Sequence, residues 1–223
     1  MKSLQAAAAM PPAGVAVATS SQVRQAADLL ARAAIVVLFT LMAVRFATDF
    51  LDTGRITGLF LLLSEALVVV LTVVRRSALA VDRSFRARVL TGVSVVGPPL
   101  LAPGTAAALA PESLTVALSC AGLAIVIAGK ITLGRSFALL PANRGIVSSG
   151  LYRVVRHPIY MGYLVSHVAF LVASPTLWNI AALLVADGAL LARAVCEEQT
   201  LAKDPAYTAY QSRVRWRVAP GLF

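Results

Sequence analysis

Six apolar stretches in succession constrain this chain more than any other feature. They lie at approximately 29–49, 56–74, 89–109, 114–133, 159–174 and 176–195. At a helical rise of ~1.5 Å per residue, about 20 residues cross a bilayer core ~30 Å thick. The first four stretches have that length. The fifth is shorter, and Ser174-Pro175 separates it from the sixth, so the last two read as a tight helical hairpin with an arm that is tilted, kinked or re-entrant. Gly97-Pro98-Pro99 is expected to bend the third stretch, because proline has no amide proton to continue a helix. Composition points the same way. Only 13% of the residues are charged, against about a quarter in soluble domains, and too few polar residues remain to cover a water-facing surface. The expected fold is an all-α integral membrane protein of about five to six transmembrane helices.

The formal net charge of +10 is compatible with either a nucleic-acid surface or an oriented membrane protein, and its placement decides. Arg75, Arg76, Arg83, Arg86 and Arg88 fall in one connection, and Arg135, Arg144, Arg153 and Arg156 in another. Lys203, Arg213, Arg215 and Arg217 follow the last span. The alternate connections hold little positive charge: Asp49, Asp52 and Arg55 in one, Glu112 in the other. Six spans with both ends in the cytoplasm put every basic connection on one side. No folded basic face for nucleic acid remains. Residues 1–28, rich in Ala, Ser and Pro, read as a flexible tail, with Met10-Pro11-Pro12 interrupting any signal-peptide core. Residues 29–129 read as N-terminal transmembrane helices, and 130–223 as a region ending in a hairpin and an interfacial tail. Cys120 and Cys196 belong to no Cys-x-x-Cys or Cys/His cluster, so they read as apolar fillers and no metal site is expected.

Chemistry concentrates between Leu133 and Tyr163. Gly134, Gly145, Gly150 and Gly162 permit close backbone approach to a ligand. Arg153, Arg156 and His157 bring hydrogen-bond donors to the membrane edge, and Pro158 opens the next helix, whose N-terminus suits an anion. Arg193 and Glu197, four apart, share a helix face, with Glu198 about 100° round from Glu197. Paired acids at the membrane edge are costly unless used or solvated. One of them fits a ligand amine or ribose hydroxyls, while Glu198 reads equally as a solvated helix end. Tyr207, Tyr210 and Trp216, interleaved with Arg213, Arg215 and Arg217, read as interface anchors. His167 reads as a packed residue within span five. Glu65 and Asp187 are acids inside spans to which the sequence assigns no partner.

The run Gly150-Leu-Tyr152-Arg-Val-Val-Arg156-His157-Pro158-Ile-Tyr160-Met-Gly162, the later Arg193-x-x-x-Glu197-Glu198 and Tyr207-x-x-Tyr210, and the Arg-rich tail resemble, in the same order, the isoprenylcysteine carboxyl methyltransferase family, whose relatives include phospholipid N-methyltransferases. The resemblance covers roughly residues 130–223. It implies a cytoplasmic pocket for S-adenosylmethionine in the C-terminal half and a tunnel from the bilayer for a lipid or prenylated acceptor. By motif position it implies that Arg144, Gly145, Ile146, Val147 and Tyr152 line the cofactor, with His157, Pro158, Ile159 and Tyr160 as the opposite wall. Glu197 would hold the cofactor and Arg193 would face the substrate. Arg156 and Glu198 join the cofactor-binding candidates as the donor and the acid beside them. Phe137 stands near a position where the family often has a polar residue. Carboxyl O-methylation is the leading expectation, with phospholipid N-methylation as the alternative. An NADPH-dependent sterol or enone reductase shares the Arg-His-Pro-x-Tyr-x-Gly look but usually has Asn after the Pro and an acid after the Gly, where this chain has Ile159 and Tyr163. A transporter would place its polar residues at the midplane, whereas here they gather at the cytoplasmic end. Beyond membrane lipids, no protein partner is evident.

Overall fold

The computed structural model describes residues 33–34, 37–63, 80–82, 84–104, 106–136 and 141–223. The N-terminal tail, Glu65 and Phe137 lie outside the described residues. The fold is all-helical in character: α1 covers 37–53 and α2 starts at 57 and is described to 63. Then follow α3 (Phe85–Val96), α4 (Glu112–Leu133), α5 (Pro158–Ala173), α6 (Leu177–Leu201) and α7 (Pro205–Arg213). A two-residue antiparallel pairing of β1 (Ala80–Val81) with β2 (Ala142–Asn143) ties the connection before α3 to the loop after α4.

Two described helices, α4 and α6, are long and apolar enough to cross a membrane, and α5 is a shorter apolar helix. Their surfaces are turned inside out relative to a soluble bundle. Leu114 and Ile131 on α4, Val168 on α5, and Leu177, Leu184 and Val185 on α6 point outward, while Lys130, Ser166, His167, Asn179, Arg193 and Glu198 are buried between helices. A hydrocarbon surround accounts for both halves of this pattern, since apolar side chains cost nothing in lipid and polar ones must find protein partners there.

Local sequence sets the helix ends. Pro158 occupies the first turn of α5, where its missing N–H costs nothing. Thr176 caps α6 by accepting from the Asn179 amide, and Asp204 caps α7 by accepting from Ala206. The third apolar stretch is not a single span. Helix α3 stops at Gly97, and Pro98–Leu100 forms a 3-10 turn. Two adjacent prolines remove two consecutive donors, which ends a helix rather than bending it. The polar backbone this exposes is satisfied from α6. Asn179 Nδ2 donates to the carbonyls of Ala102 (2.8 Å) and Ser174 (3.0 Å), its Oδ1 accepts from Ala102 N, and Trp178 Nε1 donates to Leu100 O.

Helix α5 packs closely along α4, and α6 along α3, while α5 and α6 meet through side chains, with Ile159, Tyr160 and Tyr163 against Leu190 and Ala194. The expected hairpin is therefore joined by long side chains rather than by close backbone approach. The α4–α5 seam depends on glycine. A Cβ on Gly162 would lie 2.7 Å from the Gly122 carbonyl oxygen and 2.8 Å from the Val126 amide nitrogen. Gly162 thus serves close approach of two helices, not of a ligand. Helix α6 runs past the expected end near 195 to Leu201, so Arg193, Glu197 and Glu198 stand on one continuous helix. The segment after α7 folds back beneath them. Arg156 N donates to Trp216 O (2.9 Å), His157 N donates to Arg217 O (2.7 Å), and Val218 enters the core with Val126, Ile159 and Leu190.

Candidate active site

The start of α5 and the last turns of α6 face each other across a small set of charges. Tyr160 donates its hydroxyl to Glu197 Oε1 at 2.8 Å, and Arg193 Nη2 donates to the same oxygen at 3.2 Å. The His157 ring lies between the two acids, with Nδ1 3.6 Å from Glu197 and Nε2 3.2 Å from Glu198. It stacks on Tyr160 at 5.2 Å between centroids, and the Arg193 guanidinium lies over the Tyr160 ring, 5.4 Å from its centroid, so the three form a column. Glu198 also takes Arg156 at 3.2 Å and Arg217 at 3.0 Å. Two carboxylates are thus met by three guanidinium groups, and charge-assisted pairs of this kind fix side-chain positions.

A cavity opens against this column. From the loop after β2 it is lined by Arg144, Gly145, Ile146 and Val147, then by Tyr152, Arg156, His157, Ile159, Tyr160, Arg193 and Glu197. Gly145 holds φ +99° with open space where a Cβ would stand, so its backbone conformation, not crowding, calls for glycine. Of the residues expected at the site, eleven line one cavity, although they come from four separate segments. Pro158 and Glu198 do not line it. Pro158 faces α4 near Gly129, and Glu198, only 4% exposed, is neither a solvated helix end nor part of the wall. It sits behind, tying Arg156, His157 and the returning Arg217 together.

Tyr207 and Tyr210 are cavity residues, not interface anchors. Both are 3% exposed, and they form an aromatic cluster with Tyr152 and Val214. Tyr210 donates to the Tyr152 carbonyl at 2.7 Å. Burial, first of all, pushes the Tyr210 phenol up to about 12, and it raises Tyr152 and Tyr207 as well. These hydroxyls are therefore neutral donors. The Tyr207 hydroxyl is buried with no hydrogen-bond partner among the described residues. The spacing of Tyr207 and Tyr210, three apart, already put them on one helix face. Which way that face turned was not written in the spacing.

At its other end the cavity continues between α3 and α6, where Ser94, Pro98, Ala186 and Leu190 line it, together with Tyr163, His167 and Asp187. His167 Nδ1 and Asp187 Oδ1 are 2.6 Å apart. This pairing has a sequence signal. A chain doubled back at residue 177 sets 157 opposite 197 and also 167 opposite 187.

Residues 115–203, from within α4 to the turn after α6, match the model of the isoprenylcysteine carboxyl methyltransferase (ICMT) family. No curated protein matches the chain.

Proposed function

We propose that this chain, which through residues 115–203 belongs to the isoprenylcysteine carboxyl methyltransferase family, is a multi-pass membrane methyltransferase that uses S-adenosylmethionine to methylate the carboxylate of a lipid-like acceptor. One observation carries the reading. A single cavity joins the charged column of His157, Tyr160, Arg193 and Glu197 to an apolar end between α3 and α6. A water-soluble methyl donor fits the first end and a membrane-dissolved acceptor the second. The positive-inside rule, applied to the basic loops and tail, supports a cytoplasmic charged end.

The residues present suit the cofactor. Its amine and ribose diol call for acceptors, which Glu197 supplies. Its carboxylate calls for donors, which Arg144 and the buried, unpartnered Tyr207 hydroxyl supply. When bound, it would supply an electrophilic sulfonium methyl group to the acceptor carboxylate, sulfur keeping the bonding pair as a neutral thioether, with no proton transfer asked of the protein. The protein's own part is positioning. Arg193, held by Glu197 and by the Tyr160 ring, directs its charge at the acceptor carboxylate without protonating it. Ile146, Val147, Ile159 and Leu190 keep water from the methyl.

Calorimetry on detergent-purified protein tests this. S-adenosylmethionine is expected to bind the wild type at micromolar affinity. Glu197→Ala and His157→Ala are each expected to weaken binding by roughly 10- to 100-fold, the loss of one or more charge-assisted contacts. A folded wild type that ignores S-adenosylmethionine and binds NADPH instead would overturn the reading.

A further inference from the structure

The motif-bearing column does not use the pair deeper in the same cavity. His167, on α5, is 3% exposed, and its Nδ1 meets Asp187 of α6 at 2.6 Å. Its other nitrogen, Nε2, is fully buried and has no hydrogen-bond partner among the described residues. The ring stacks on Tyr163 at 6.2 Å, and Lys130 Nζ of α4 lies over the same tyrosine, 5.2 Å from its ring centroid. His167, Asp187 and Tyr163 all line the cavity, and so do Ser94 and Pro98 from the α3 side.

We propose that His167 and Asp187 form a second polar recognition point in the substrate cavity, one that accepts a hydroxyl group carried on the apolar body of the acceptor. The inference rests on the methyltransferase reading of the cavity for the acceptor's other end. A carboxylate at Nδ1 engages that nitrogen and leaves Nε2 as the ring's unmet hydrogen-bonding position, which a hydroxyl can meet as donor or as acceptor. In a low-dielectric span, an unmet polar atom is costly, and a paired acid and histidine are costlier than two apolar side chains of the same volume. A wholly hydrocarbon tail would leave this cost in place, whereas a hydroxyl removes it. Asp187 precedes Arg193 by six residues on one helix, which sets the two points about 9 Å apart along the axis. The acceptor class is therefore an amphiphile with a terminal carboxylate and a second, mid-chain hydroxyl, distinct from a plain isoprenoid chain.

The test compares stearic acid with stearic acid bearing one mid-chain hydroxyl, each titrated into the purified full chain. The wild type is expected to bind the hydroxylated probe about tenfold more tightly, equivalent to ~1.4 kcal/mol. His167→Phe, which keeps the ring and its stacking, is expected to erase that preference, so that the two probes bind alike. Asp187→Asn is expected to reduce the preference in the same direction. Equal affinities in the wild type, no binding of either probe, or a preference that survives His167→Phe would overturn the proposal. S-adenosylmethionine binding, measured alongside, keeps the two readings apart. Its retention with equal probe affinities removes only the dyad's role, and its loss with the preference intact removes only the methyl-transfer reading.

Discussion

Tyr207 stands in the wall of the cavity with a neutral, buried hydroxyl that no described residue accepts from. A buried polar group without a partner destabilises the fold until something binds it. Tyr207→Phe is therefore expected to leave the thermal midpoint unchanged or slightly raised, while S-adenosylmethionine affinity falls about tenfold. A thermal melt with parallel calorimetry checks both halves, and a lowered midpoint with intact affinity would contradict the assignment. At this scale the sequence was readable where residue types are costly in a membrane unless used. Arg193, Glu197 and His157 are of that kind, and they converge. Tyrosines beside arginines are equally at home on headgroups or inside a pocket. Only the bond from Tyr210 to the Tyr152 carbonyl, 58 positions away, decides between the two.

Helix α5 is held to α4 where glycine faces glycine. A side chain on Gly162 has no room before it meets the backbone of Gly122 and Val126. Gly162→Leu is expected to force the two helices apart and to cost roughly 1–3 kcal/mol. It would also weaken cofactor binding, because His157 and Tyr160 ride on the same helix. Denaturant unfolding in detergent, with Gly188→Leu as the control at a glycine with open space around it, measures the difference. The long helices α4 and α6 and the short α5 were legible from apolar length and from Pro158 and Ser174-Pro175. The end of α3 was not, since the rest of that stretch remains apolar enough to span. What stops it is the pair of missing donors, and what makes the stop tolerable is Asn179, 77 positions later. That α5 and α6 meet through side chains rather than close backbones was hidden for a similar reason. A short turn brings two helix ends together but does not say whether their faces pack or leave a cavity.

At the scale of the whole molecule, Arg144, Arg156 and Arg193 stand at the charged end of the cavity, which Leu133 at the end of α4 also lines, and the described residues of 97–111 lead into the other end of that helix. Single cysteines placed at Arg153 or Arg213, both exposed, in a background lacking Cys120 and Cys196, are expected to react with a membrane-impermeant maleimide only in inverted vesicles. A cysteine at Leu109, 73% exposed, is expected to react only from outside intact cells. The opposite pattern would invert the proposed orientation. Charge asymmetry supplies the expected orientation without any contact being known, whereas the short β1–β2 pairing and the returning segment after α7 left no periodic trace in the sequence. That returning segment has a consequence for biosynthesis. Arg156 is held by the carbonyl of Arg215, 59 positions further on, and the amides of Arg156 and His157 by Trp216 and Arg217. A chain under synthesis makes α5 and α6 before it makes the floor beneath His157. The charged site is complete only once residues 215–218 have returned to pack against the start of α5.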